Sequence, residues 1–151
     1  MATNEQDRIF DQFAQVREED LRNKLEALKG RTQEEVLAFA GEILPRIYRG
    51  TEETLRRIAN YSALVNDRLA LFSYRQASEM LDRSAETYRK GLFDLISDDP
   101  ESRLIVEHGA LQEAQRYLEE TLGNPDSTTQ VKSLLQDRLK RINGKLEELV
   151  E

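Results

Sequence analysis

The chain contains no cysteine, no tryptophan and only one histidine among its 151 residues. Without cysteine there is no disulfide and no thiolate nucleophile. An ordinary structural zinc site needs four nitrogen or sulfur ligands, so the single His108 excludes one. A ferritin-like di-iron centre needs two Glu-x-x-His pairs and is excluded for the same reason. No Ser-His-Asp order, P-loop or dinucleotide fingerprint is present. We therefore expect no catalytic residue, no metal and no cofactor.

Long apolar runs are missing as well. The longest are short, such as LALF at residues 69–72, whereas a membrane-spanning helix needs about 20 apolar residues. Residues 1–5 are polar and acidic, without the basic and apolar regions of a signal peptide. The sequence therefore predicts a cytoplasmic protein and makes a membrane an unlikely partner.

The charge balance is acidic, with a net charge of −7 and a pI of about 4.9. Nucleic acid is therefore an unlikely partner. Four arginines, which are Arg46, Arg49, Arg56 and Arg57, lie close together in the sequence and could contact an anion. Charge pairing on a solvated surface is the favoured interpretation, because Glu52–Arg56 and Glu53–Arg57 have the i,i+4 spacing of surface pairs.

About half of the residues are Ala, Glu, Lys, Leu or Arg, a composition typical of coiled coils and long helices. No segment of any length alternates with the period of two that indicates a strand. The sequence predicts an all-α bundle of about five helices with coiled-coil-like seams. We expect one domain over residues 1–151, with a possible sub-boundary near 97–100.

The first two predicted helices are separated by Gly30. The first begins at Thr3 and ends at Gly30, which has the position of a left-handed C-terminal residue. The second begins at Thr32, with Glu35 as its capping-box partner. Pro45 lacks the N–H that a helix interior requires, so we expect a kink or break there before Gly50.

The third predicted helix begins at Thr51 and meets no glycine or proline before Gly91. Its apolar residues first follow a heptad seam and then change register, which indicates either a continuous helix with a stutter or a break near residues 73–78. Forty helical residues would extend about 60 Å, beyond a globule about 40 Å across. The exposed seam would then need a partner, most simply a second copy of the chain. The predicted interface consists of Leu55, Ile58, Val65, Leu69 and Phe72.

The last two predicted helices have clear boundaries. Asp99 suits an N-cap and Pro100 the first helical position, and this fourth helix ends at Gly123. The fifth begins near Ser127 and continues to the C-terminus through Asn143-Gly144. Its predicted seam consists of Leu135, Leu139, Ile142, Leu146 and Leu149.

His108 borders the apolar face of the fourth helix. The favoured interpretation is a structural histidine that is partly buried at a helix interface. The alternative is a phosphoacceptor. Residues 105–151 resemble the dimerisation and phosphotransfer helices of sensor histidine kinases, with VEH at 106–108, RYLE at 116–119 and a second heptad helix that ends in LEEL at 146–149. In that family an acid follows the histidine and a proline lies a few residues further on, whereas here Gly109 follows His108 and the next proline is Pro125.

These observations favour a non-catalytic interaction protein over an enzyme. The expected role is an adaptor, a structural subunit or a chaperone-like binder that acts through helix–helix contacts with protein partners and associates with itself. The alternative is a signalling or phosphotransfer module centred on His108.

Overall fold

The fold is all-α, as predicted. The structure is a computed structural model, and it describes residues 19–20, 22–65, 68–96, 99–124 and 128–150, with side chains except those of residues 62–71. Within these ranges there is no strand. The helices are α1 (residues 22–28), α2 (Gln33–Val65), α3 (Arg68–Leu95), α4 (Pro100–Leu122) and α5 (Thr129–Val150). The predicted start of the first helix at Thr3 lies outside the described residues.

Helices α2 to α5 form a bundle with α2 at its centre. Helix α2 contacts α3, α4 and α5, and α4 also contacts α5. The amide of Gln33, at the start of α2, donates to the Leu95 carbonyl at the end of α3 at 2.9 Å, so these two helices are antiparallel. Helices α2 and α4 are parallel, because Tyr48 reaches Glu107 and, eight residues on, Arg56 reaches Tyr117.

The core divides into two clusters along the bundle. The first joins the start of α2 to the end of α3 and the start of α4, and includes Leu44, Leu92 and Ala110. The second joins the later part of α2 to the start of α3, the end of α4 and α5, and includes Leu55, Leu118 and Leu135. Because α2 contributes to both clusters, it ties the two halves of the bundle together.

Several predicted helix ends are confirmed. Gly30 has a positive φ of 84°, which favours glycine. The Thr32 hydroxyl accepts a hydrogen bond from the Glu35 N–H at 3.2 Å. Asp99 caps α4 by accepting from the Ser102 N–H at 3.1 Å, with Pro100 directly after it. The cap of α5 is Thr128, whose hydroxyl accepts from the N–H of Val131, one residue after the predicted start.

Of the kink or break predicted at Pro45, the break is wrong, and so is the predicted helix start at Thr51, because α2 runs from Gln33 to Val65 as one helix. Proline removes one hydrogen bond, but Leu44 and Ile47 on either side are buried in the core and offset that loss. Thr51 is buried in the helix interior and donates its hydroxyl to the Ile47 carbonyl at 2.9 Å. The hydroxyl of Thr51 therefore makes its hydrogen bond within α2 and does not cap the N-terminus of a helix.

The predicted third helix is divided, but not where the register shift indicated. Residues 73–78 lie inside α3, and the division falls between Val65 and Arg68. The 33 residues of α2 extend about 50 Å, and the shorter α3 packs back along them. The long helix that would overhang its own globule is therefore replaced by two helices that pack against each other.

Candidate functional site

A carboxylate from α2 and another from α3 hold the guanidinium of Arg138 on α5 inside the bundle. Arg138 Nη2 donates to Glu52 Oε1 at 2.6 Å, and Nε donates to Glu52 Oε2 at 3.0 Å. Arg138 Nη1 and Nη2 donate to the two Asp82 oxygens at 2.8 Å each. The Arg138 and Glu52 side chains are only 8% and 2% exposed. Three helices therefore meet at one ion cluster, the Arg138 cluster, which is formed by Glu52, Asp82 and Arg138.

The hydrogen bonds of Arg138 are complete. Nη1 also donates to Ser78 Oγ at 3.2 Å, so all five N–H donors of the guanidinium have acceptors. Burial would by itself lower the pKa of Arg138, but the hydrogen bonds and charges of Asp82 and Glu52 outweigh it and raise the pKa above its ordinary value. Arg141 contacts Asp82 Oδ2 at 3.0 Å, so two arginines balance two carboxylates. The cluster is saturated and suits a structural role better than proton transfer.

A second buried polar group lies nearer the start of α4. The Tyr48 hydroxyl donates to Glu107 Oε1 at 3.0 Å, and Arg89 Nε donates to Glu107 Oε2 at 2.7 Å. Burial and the charge of Glu107 together raise the pKa of Tyr48 above its ordinary value. Both Glu107 oxygens are thus occupied inside the bundle, on the side of α4 that faces α2 and α3.

A cavity of about 30 Å³ lies beside the Arg138 cluster. Its polar lining includes Tyr48, Thr51, Glu86 and Lys145 in addition to the cluster itself. This volume holds one or two water molecules. The cavity is therefore suited to water and not to an organic substrate.

His108 follows Glu107 directly on α4, so its side chain points about 100° away around the helix from the buried Glu107 network, and it is half-buried. It borders an open groove between α4 and α5, whose other lining residues are Gln112, Gln115, Leu146, Glu147 and Val150. Gln115 donates to Asn143 Oδ1 across the two helices at 2.7 Å. The carboxylate that precedes the histidine, Glu107, does not reach this groove because Tyr48 and Arg89 hold it inside the bundle.

The predicted interface residues do not share one outer face. Leu55 and Ile58 are buried in the second core cluster of the chain itself. The side chains of Val65 and Leu69 lie outside the described part, and Phe72 is 57% exposed. A second chain could therefore reach Phe72 directly, but could reach Leu55 or Ile58 only by opening the core.

The clustered arginines are paired differently from the prediction. Glu52 belongs to the Arg138 cluster and not to a pair with Arg56. Arg49 takes the place of Arg57 as the partner of Glu53, at 2.8 Å, and also contacts Glu113 at 3.0 Å. The surface-pairing interpretation therefore holds for Arg49, whereas Glu52 was wrongly placed on the surface.

Exposed apolar side chains lie near the start of α4 and at the end of α5. Ile105 is 66% exposed and Val150 is 78% exposed, and Leu104, which precedes Ile105, is exposed as well. Ile105 lies three residues before His108 on α4, while Leu146 and Val150 line the groove that His108 borders. We call Leu104, Ile105, Leu146 and Val150 the α4–α5 end surface.

Comparisons with protein-family models, with curated proteins and with solved structures find no match for this chain. None of the helices in the described ranges combines the length and apolar character that crossing a bilayer requires. The same part of the chain contains no group of three or more His, Asp or Glu side chains arranged to hold a metal ion.

The Arg138 cluster is what sequence reasoning missed. The predicted seam of α5 used Leu139, whereas the buried residues of the helix are Val131, Leu135, Arg138 and Ile142. Their spacing of 4, 3 and 4 is itself a heptad seam, with a charge at one core position. The signal was present, but an arginine is ordinarily placed in water unless a partner is known.

Proposed function

We propose that this chain is a non-catalytic interaction protein that associates with itself through helix–helix contacts at the α4–α5 end surface. The observation that carries the proposal is the exposure of Leu104 and Ile105 near the start of α4 and of Val150 at the end of α5, where Val150 lines the same groove as His108. Single exposed apolar residues are ordinary, but a group of them on adjoining helices is typical of a contact surface.

The surroundings of this surface support a helical partner. Ile105, His108, Gln112 and Gln115 follow one another on α4 at steps of 3, 4 and 3 residues. Asn143, Leu146 and Val150 do so on α5 at steps of 3 and 4. Matching heptad rows on two neighbouring helices form the kind of groove into which the side chains of another helix insert.

The buried polar groups support a structural role over catalysis. The donors of Arg138 and the oxygens of Glu52, Asp82 and Glu107 are all taken up by partners within the chain. A catalytic acid or base must reach a substrate with a free atom. These four side chains are therefore suited to holding helices together.

Gel filtration coupled to light scattering, at tens of micromolar protein, tests the proposal. We expect a mass that is a multiple of the 17.5 kDa chain, and a shift to 17.5 kDa in the Ile105→Ser, Val150→Ser double variant. Phe72→Ser is the control, because Phe72 is also a large exposed apolar residue, at 57%, but lies on α3, and it should leave the mass unchanged.

A wild-type protein that stays at 17.5 kDa throughout the concentration range would sink the self-association. If Phe72→Ser dissociates the assembly and the double variant does not, the contact surface is on α3 and the α4–α5 end surface is not the site.

The second candidate function is phosphotransfer at His108. Its support is the position of His108 in an open groove that also contains an acid, Glu147, from α5. Against it, Glu107 is held inside the bundle and Gly109 has no side chain, so neither neighbour on α4 can orient the imidazole for attack on a phosphoryl group.

We expect no acid-labile phosphohistidine after incubation with a small-molecule phosphodonor such as acetyl phosphate. His108→Gln serves as the control for background labelling. Stoichiometric labelling that disappears in a folded His108→Gln protein would favour the signalling function over the interaction function.

A further inference from the structure

We propose that the Arg138 cluster is a register lock for α5. It sets the position of this helix along the bundle axis relative to α2 and α3. The starting point is that two of the three buried apolar positions of α5, those of Leu135 and Ile142, would receive another aliphatic residue if the helix slipped by one heptad. A shift of one heptad would put Ile142 in the place of Leu135 and Leu149 in the place of Ile142, which exchanges one aliphatic side chain for another. Heptad seams of this kind permit alternative registers unless a polar core residue selects one.

The connection between α4 and α5 does not prevent such a shift. A slip of seven residues moves α5 by about 10 Å. Residues 123–128 join the two helices and can span up to about 20 Å when extended. The register must therefore be selected by side chains.

Arg138 makes the slipped register less stable than the native register for two reasons. In the slipped position Lys145 would face Glu52 and Asp82, and an ammonium cannot reproduce the planar fork that bonds both carboxylates. In the same position Arg138 would occupy the site of Val131, which is fully buried among apolar residues. The slipped register thus loses the cluster and also buries an unpaired charge.

This inference does not depend on the proposed function, although it bears on it. A slip of α5 would carry Leu146 and Val150 about 10 Å away from His108, and so would dismantle the α4–α5 end surface. The lock therefore determines which residues the bundle presents there.

The test measures the position of α5 directly. The chain has no cysteine, so spin labels can be attached at the exposed positions Asn60 on α2 and Glu147 on α5 after substitution by cysteine. The distance between the two labels runs mainly along the bundle axis. Pulsed electron–electron double resonance in the otherwise wild-type chain should give one narrow distance distribution.

The lock is then removed in an apolar variant that carries Glu52→Met, Asp82→Leu, Arg138→Met and Lys145→Met. We expect a folded protein, with a urea midpoint equal to or above that of the wild type, and a second distance displaced by about 10 Å. Lys145→Met alone is the control and should keep the single native distance. An apolar variant that folds with only the native distance would overturn the proposal. So would one that fails to fold, because the cluster would then be needed for stability itself.

A second variant moves the lock. In the protein with Arg138→Met and Lys145→Arg, the guanidinium is displaced by one heptad, so the main distance should change by about 10 Å. A main distance that stays at the native value would show that the guanidinium does not select the register.

Discussion

Arg138 and Glu52 are charged side chains that the fold keeps from water. Removing a charge from water costs several kcal/mol, and the cost is recovered only while a partner remains in place. Replacing both members of the pair by apolar residues should therefore change the free energy of unfolding little, whereas removing one member leaves the other buried without a partner. Exposed pairs such as Glu42–Arg46 carry no such penalty, because water solvates either side chain alone.

The first prediction compares one substitution at these two kinds of site. Arg138→Met leaves the Glu52 carboxylate buried without its partner, and should lower the free energy of unfolding by about 3–5 kcal/mol. Arg46→Met removes an arginine that is mostly exposed, and should change it by less than about 0.5 kcal/mol. Urea denaturation followed by circular dichroism measures both. Equal effects of the two substitutions would contradict the buried position of Arg138.

The second prediction concerns alkaline pH. Burial raises the pKa of Tyr74 from 10.0 to about 12, with the charge of Glu52 adding to the rise and that of Arg138 opposing it. Between these values the unfolded chain loses a proton that the folded chain keeps, so stability is full below pH 10 and falls as pH rises towards 12. The loss from this tyrosine is at most about 3 kcal/mol.

Tyr74→Phe isolates this contribution. The variant cannot lose the phenolic proton, so its urea midpoint should fall less between pH 10 and 12 than that of the wild type. Identical pH profiles of the two proteins would show that the hydroxyl of Tyr74 titrates freely.

At the scale of helices, local signals predicted the ends near residues 30–32 and 99–100 correctly, but the end predicted at Gly50 and the start predicted at Thr51 lie inside α2. Gly30, Thr32, Asp99 and Pro100 each act on the backbone directly around them, so their effect is visible in the sequence. The continuity of α2 through Pro45 depends on core burial from three other helices, which no local pattern contains. The Arg138 cluster could not be predicted from a local pattern either, because Glu52 and Asp82 are 30 residues apart along the chain and Asp82 and Arg138 are 56 apart.

The third prediction tests the energetic account of Pro45. In a helix interior proline costs about 3 kcal/mol, and at the first helical position it costs little. Pro45→Ala should therefore stabilise the protein by about 1–3 kcal/mol, whereas Pro100→Ala, at the start of α4, should not stabilise it. Thermal denaturation of both variants provides the comparison. A destabilising effect of Pro45→Ala would mean that the proline ring itself contributes to packing.

At the scale of the molecule, α2 contacts the three other long helices and contributes to both core clusters. Its first half belongs to the core cluster shared with the end of α3, and its second half to the cluster shared with α5. Glu52 lies between the two and joins α2 to α5 through Arg138. A helix that is common to both clusters cannot unfold in one and remain in the other without losing its own continuity, so we expect the two clusters to unfold together, and one domain over residues 1–151 stays a prediction.

The last prediction follows from that linkage. Urea unfolding should be a single cooperative transition, with the same midpoint by circular dichroism, which reports helix, and by tyrosine fluorescence, which reports packing. Arg138→Met should shift both midpoints together, since the cluster connects α5 to α2 and α3. Two separate transitions, or a midpoint that moves by one probe alone, would instead place a domain boundary inside the chain, and residues 97–100 between α3 and α4 would be its position. The cooperativity of the bundle therefore depends on α2 remaining one helix from Gln33 to Val65.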